Sequence, residues 1–547
     1  MSASSKKKLR NAQEAEKMTE KQRQEQKEAK KLKIFTTVFG VVLALMVVFA
    51  AYVGISKTIT HSGITERNTV AVTVNDHKIS NAELNYFYID AVNNFYSTYG
   101  SYASMFGLDT TAPLNEQVTD EETGSTWADD FLASAEENAK AVYALADEAK
   151  AQGYTLSEED QESIDQTMDT MALYGSYYGY SDVEDYLKAL YGNGATEKTF
   201  RSYLELTVLA SSYQSYYSDS LTYDDAALRE AEADNYAEYS AFSYNSYYLS
   251  TSKFLEGGTT DEDGNTTYSD EEKAASVEAA EKAAKSLVSG EIQSVADFDA
   301  AIAALEINAE SDSAASTAYT DTAYSSISSV IQEWVTDDSR QEGDMTYIAS
   351  TSTSTDDEGN ETTTTNGYYV VYFVGSNDNI FPLANVRHIL VSYEGGTTDD
   401  SGNTTYSDEE KAAAKATAEE ILAEWEAGDA TEDSFAALAN EKSTDTGSNT
   451  TGGLYEDVYP GQMVTNFNDW CFDESRQAGD TGIVESDYGY HVMYYVGDSE
   501  TTYRDYQITN ALISADTTEW YNALVESMTL TEENLKYISM DLVLSNG

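Results

Sequence analysis

The chain contains a long stretch written twice. "GGTTDEDGNTTYSDEEKAA" (257–275) returns as "GGTTDDSGNTTYSDEEKAA" (395–413), and "DSRQEGD" (338–344) returns as "ESRQAGD" (474–480). "NGYYVVYFVG" (366–375) returns as "YGYHVMYYVG" (488–497). Three matched blocks in the same order predict a tandem pair of domains, too few and too long to be solenoid repeats. Each copy reads as strand, acidic turn, helix, irregular middle, helix and strand hairpin. The helix starts are explicit, because Ser269 with Glu272 and Ser407 with Glu410 form capping boxes. The copies differ where it matters chemically: the second has His491 and the first has Tyr369.

A second constraint lies near the N-terminus. Residues 34–55, "IFTTVFGVVLALMVVFAAYVGI", run for 22 residues without a charge, which is long enough to span a bilayer. Residues 1–33 hold 11 Lys and Arg against 5 Glu, so this basic tail is expected to stay cytoplasmic and send the rest outward. The expectation is a single-pass membrane protein with an acidic extracytoplasmic body. A cleaved signal peptide is the alternative; the length of the run and the lack of an A-x-A site argue against it.

Charge then narrows the partners. Acidic residues number 96 and basic ones 32, and beyond residue 33 the count is 91 against 21. Such a surface repels nucleic acid and anionic lipid. Cys471 is the only cysteine, which removes intramolecular disulfides and cysteine-based metal sites. Between Trp470 and Phe472 it reads as a core residue. With only four histidines, a His-rich metal site is not expected. The "DEDGN" and "DDSGN" turns place Gly fourth rather than sixth, so they do not match a calcium loop. No metal and no cofactor are expected.

The stretch "TVAVTVNDHKISNAELNYFY" (69–88) predicts a strand at Val70, Val72 and Val74, a turn at Asn75-Asp76, and a helix opened by Ser80 with Glu83. Helical spacing follows through Trp127, Phe131, Val142 and Leu145 to a stop at Gly153, then over 157–174, 181–191 and 197–217. A further helical run is predicted near 519–528.

The second copy reads "NVRHILV" (385–391), "FAALANEKSTDTGSNTTGGLYEDVYPGQMVTNF" (435–467) and "DYGYHVMYYVG" (487–497). This resembles the parvulin family of peptidyl-prolyl cis-trans isomerases: R-H-I-L-V, S-T-D-T-G-S, G-G, G-Q-M-V-x-x-F and Y-G-Y-H-V occur in family order. The N-terminal strand and helices are similar, more loosely, to the chaperone part of PrsA/SurA-like foldases. The resemblance implies a multidomain chain with an N-terminal transmembrane helix (34–55) and a mainly α chaperone-like domain (66–237). Two tandem α+β parvulin-like domains would follow, degenerate at 238–376 and complete at 383–497, with a helical tail at 498–547 packing on the chaperone domain. It implies catalytic roles for His388, Asp445 and His491, and a proline-binding wall of Met463 and Phe467. Tyr455 falls where the family often has Leu. The implied partners are unfolded or newly secreted polypeptides and their X-Pro segments, with a homodimer as a further expectation. The loop after the first strand has no Lys or Arg, which argues against phosphopeptides.

In the first copy, a gapped alignment sets Tyr247 against His388, and Asn308 or Ala309 against Asp445. "SSISSVI" (325–331) stands in place of G-Q-M-V-x-x-F. The scaffold is kept and the site is lost. Two other readings compete with an isomerase: a holdase that only binds peptides, and an acidic surface interaction protein. The latter leaves the parvulin motifs unexplained.

Overall fold

The computed structural model describes residues 63–261, 264–309, 314–355, 359–399 and 401–544. The expected cytoplasmic tail and membrane span (1–55) lie outside the described residues. Among the described residues, no helix is long and apolar enough to cross a membrane. The chain is mixed α and β and divides into two compact units. One combines residues up to 222 with those from 512 onward, and the other comprises residues 223–511.

In the first unit, Val70–Val74 and His77–Ser80 form a hairpin. Asn75 makes the turn in the left-handed region at φ 48°, which Asn tolerates better than most residues. A third strand, Leu530–Glu532, pairs with the first, setting Val72 opposite Glu532. Ser80 caps the helix Asn81–Tyr99 by accepting the Glu83 N–H at 3.2 Å, and the Glu83 carboxylate accepts the Tyr143 hydroxyl from the next helix. The helices Trp127–Ala151 and Glu158–Tyr177 open with reciprocal caps, Thr126 with Asp129 and Ser157 with Asp160. Val183–Tyr191 and Glu197–Ser220 complete the bundle. Tyrosines fill much of its core: Tyr86 lies 5.0 Å from both Tyr191 and Tyr203, ring to ring. The helix expected near 519–528 is longer, Tyr503–Glu526, and within the first unit Trp520 stacks on Tyr217 at 3.8 Å.

The second unit holds two antiparallel four-stranded sheets with the same topology. In the first copy the order across the sheet is Thr317–Ala323, Ala241–Ser250, Glu361–Asn377, Met345–Thr355. In the second it is Leu454–Val458, Pro382–Ser392, Gly489–Thr502, Thr481–Ser486. The helices Asp408–Ala427 and Glu432–Lys442 cover one face of the second sheet through Ala418, Trp425, Phe435 and Ile389. The short helix Thr465–Cys471 covers the other through Phe467, Cys471, Val386 and Met493. With both faces covered, the central strands are apolar on both sides, which is why "HILV" does not alternate.

Register corrects one expectation. His388 pairs with Met493, and Ser246 pairs with Val371, which is the residue matching Met493 in the duplicated blocks. Ser246, not Tyr247, therefore occupies the place of His388. Tyr247 takes the place of Ile389 and packs with the core under the helices Asp270–Val288 and Val295–Ala303. A slip of one residue moves a strand side chain to the opposite face, so the gapped alignment chose the wrong side of the sheet.

Candidate active site

The neighbouring strands Pro382–Ser392 and Gly489–Thr502 carry His388 and His491 to the face covered by Thr465–Cys471. Both imidazoles are buried. Val386, Met493 and Tyr495 share their face by the strand period of two and keep the floor dry. The two Nδ1 atoms face each other at 3.0 Å. Nε2 of His388 lies 2.9 Å from Oδ2 of Asp445, and Nε2 of His491 lies 2.8 Å from Oγ of Ser486.

Asp445 stands in the loop between Glu432–Lys442 and Leu454–Val458. Its Oδ2 also accepts the hydroxyls of Ser448 and, at 3.0 Å, of Tyr455, while Oδ1 accepts the Gly447 N–H at 3.1 Å. Burial alone would raise this carboxyl; the hydrogen bonds from His388 and Ser448, with the charge of His388, hold it well below the usual carboxylate range. An ionised carboxylate only accepts, so Nε2 of His388 carries a proton. Burial pushes His491 down to about 4, its neighbour His388 adding to the effect and Asp445 opposing it, so His491 is neutral at neutral pH. One unbroken line of polar contacts results. It runs from Oγ of Ser486 to Nε2 of His491, across the two facing Nδ1 atoms to His388, and from Nε2–H of His388 to Asp445.

Beside this polar line runs an apolar wall. The Phe467 ring meets both imidazoles edge-on, with centroids 5.4 Å from His388 and 5.3 Å from His491. Met463 is half-buried in the same cluster, and the Tyr455 ring lies 5.3 Å from His388. Asn466 donates to the Glu485 carbonyl at 2.9 Å, tying the helix that bears Phe467 to the turn that bears Ser486. The six residues singled out in the sequence thus lie around one floor. Ser448 and Ser486 were not foreseen. Ser448 could have been found three residues beyond Asp445 in "STDTGS"; Ser486, in an ordinary turn, gave no signal.

The Asp445 loop is held from behind. Arg387 points to the opposite face from His388 and donates to Glu432 at 2.9 Å and to the carbonyls of Thr451 and Gly452. Gly453 accepts the His388 N–H through its carbonyl at 2.8 Å. It sits at φ 67°, where a Cβ would lie 2.1 Å from the His388 oxygen, so only glycine fits.

The first copy keeps the wall and lacks the polar line. Set against Met463 and Phe467 are Ile327 and Ile331, both buried. Ser246 and Tyr369 stand in the histidine positions, and the Tyr369 ring lies 4.8 Å from that of Tyr248. Asn308 is bonded to the Tyr247 hydroxyl at 2.9 Å, a residue of the other face. Among the described residues, no group of three or more His, Cys, Asp or Glu is placed to hold a metal ion. Cys471 is buried under the site, its thiol pushed up to about 12 by burial.

A family model described as a PPIC-type PPIASE domain matches residues 368–497. Foldase protein PrsA 1 of Listeria innocua serovar 6a is 34% identical over 119 residues, covering 22% of this chain and 32% of that protein. PrsA 1 of Listeria monocytogenes serotype 4b matches to the same extent. The chain thus spans about a third of the length of the curated relatives it matches. Of solved structures, PrsA from Bacillus cereus is 24% identical over 29% of this chain and 56% of that one, with a TM-score of 0.17. PrsA from Bacillus subtilis is 12% identical over 75% of this chain and 91% of that one, with a TM-score of 0.27. Residues 368–497, which hold the paired histidines and the Phe467 wall, thus match the PPIC-type, or parvulin, family of peptidyl-prolyl cis-trans isomerases, and over 119 residues the chain is similar to the PrsA foldases.

Proposed function

We propose that the protein is a membrane-anchored extracytoplasmic foldase that isomerises X-Pro bonds in secreted polypeptides and holds them while they fold. The observation that carries this reading is the line Ser486–His491–His388–Asp445 set beside the Phe467 ring. In this reading, residues 34–55 anchor the chain and 66–237 with the tail 498–547 form the chaperone part. Residues 238–376 are an inactive copy, and 383–497 are the isomerase.

Rotation about an X-Pro bond faces a barrier of about 18–20 kcal/mol because the amide is conjugated. The two end states differ by only about 0.5–1 kcal/mol. A catalyst therefore needs to bind the twisted amide better than the planar one, with no covalent step. Twisting returns electron density from the carbonyl oxygen to nitrogen, and a less polar carbonyl tolerates a dry floor. Met463, Phe467 and Tyr455 hold the pyrrolidine ring. The histidine pair keeps the polar edge of that floor in a fixed orientation. Asp445 anchors the pair, its Oδ2 taken up by His388, Ser448 and Tyr455, and its charge disfavours the conjugated form of the amide.

The test is a protease-free isomerisation assay of the full chain on an unphosphorylated Ala-Pro peptide. Acceleration over the uncatalysed rate is expected. Peptide binding with no acceleration would replace this reading with the holdase.

A further inference from the structure

We propose that the surface formed by Tyr99, Tyr102, Met105 and Phe106 docks extended polypeptide segments whose apolar residues are flanked by Lys or Arg. The proposal rests on the foldase reading, yet uses the unit that does not contain the isomerase site.

The helix Asn81–Tyr99 runs directly into a 3-10 turn, Gly100–Phe106. In such a turn residues three apart lie in one row, so Tyr99, Tyr102 and Met105 line up. Ala103 and Leu108 are buried and fasten the turn, while Tyr102 is 60%, Met105 79% and Phe106 52% exposed. The Phe106 ring lies 5.3 Å from Tyr99 and 6.1 Å from Phe95, and Phe95 lies 5.2 Å from Trp127. The chain then folds back. The Gln117 amide donates to the carbonyls of Asp109, Ala112 and Pro113, and Val118, 57% exposed, bridges to Thr126 beside Trp127. The exposed row is therefore continuous with a half-buried aromatic layer. Soluble proteins seldom leave such a patch without a partner, and Met with aromatic rings adapts to varied apolar partners.

Charge selects among occupants. No Lys or Arg occurs between Lys78 and Lys140, and Asp109, Glu116, Asp120, Asp129 and Asp130 are all exposed. This field repels the same face of a second copy, an anionic bilayer and nucleic acid. It attracts basic side chains, which tyrosine faces also accept. An apolar segment with basic flanks satisfies both the patch and its field.

The experiment measures fluorescence anisotropy of the full chain with a labelled, proline-free Leu/Phe peptide carrying Lys flanks, against the same core with Glu flanks. The Lys-flanked peptide should bind about tenfold more tightly, a gap that closes as salt screens it. Met105→Ser with Phe106→Ser should weaken its binding about tenfold, and Met105→Ser alone, at the most exposed position, should weaken it in the same direction. Ala-Pro isomerisation by these variants should be unchanged, which separates this surface from the isomerase site. Unaltered affinity in both variants, or equal affinity for the two peptides, would overturn the proposal. Self-association that disappears in the double variant would overturn it in favour of a second copy as occupant.

Discussion

His491 is the residue at which environment most changes chemistry. Its pKa falls from 6.5 to about 4 through burial, so the unfolded chain takes up a proton first as pH drops. Its contribution to stability is complete above pH 6.5, declines between 6.5 and about 4, and is constant below. The loss is about 3 kcal/mol, taking about 1.4 kcal/mol per unit. The depressed Asp445 acts in the next window: its contribution is present above its unfolded value of 3.8 and is lost as pH falls further. Hydrogen-exchange protection of the strand Gly489–Thr502 in the full chain should therefore fall steadily on acidification from 6.5, and His491→Gln should remove the first part of that fall. Asp445→Ala removes the acceptor shared by the His388 Nε2–H and the hydroxyls of Ser448 and Tyr455. It should cost about 2–3 kcal/mol of stability and lower kcat/KM by at least about tenfold, readable in peptide isomerisation against denaturant titration. These residues differ in how far the sequence disclosed them. His388 and His491 stood out because only four histidines occur, whereas Ser486 looks like any turn serine until its hydroxyl is found 2.8 Å from an imidazole.

Strands and turns fix where those side chains point. The turn at Gly453 brings Leu454–Val458 against Pro382–Ser392 at His388 itself, so Gly453→Ala strains the strand that carries His388. A loss of about 2–4 kcal/mol is expected, with local loss of exchange protection at His388 and reduced isomerisation. The element level was legible where signals are local. The capping boxes at Ser269–Glu272 and Ser407–Glu410 form as predicted, and Trp127–Ala151 ends just before Gly153. It was illegible where pairing is distant. Leu530–Glu532 is only three residues long, and nothing in "LTE" announces a partner at Val72–Val74. The misplacement of Tyr247 has the same origin, since an alignment compares letters while a sheet compares faces.

Across the whole molecule the two copies differ at the positions of the proposed site. Ile327 and Ile331 are buried where Met463 is half-exposed, and Ser246 and Tyr369 supply no pair of imidazoles. His388→Ala with Met463→Ala in the full chain should therefore abolish isomerisation; activity left above background would assign catalysis to residues 223–377 and undercut the site. The first unit is built from both sides of the second in sequence, and Leu530–Glu532 supplies a strand to Val70–Val74. Deleting residues 527–544 should strip exchange protection from Val70–Val74 while sparing Gly489–Thr502. The same discontinuity sets a timetable. A ribosome delivers Val70–Val74 early and its partner strand last, with every residue of the second unit emerging in between. Until residues 530–532 arrive, a nascent chain carries the whole second unit while the first keeps an unsealed edge, so translation that stalls late yields molecules marked by that open seam.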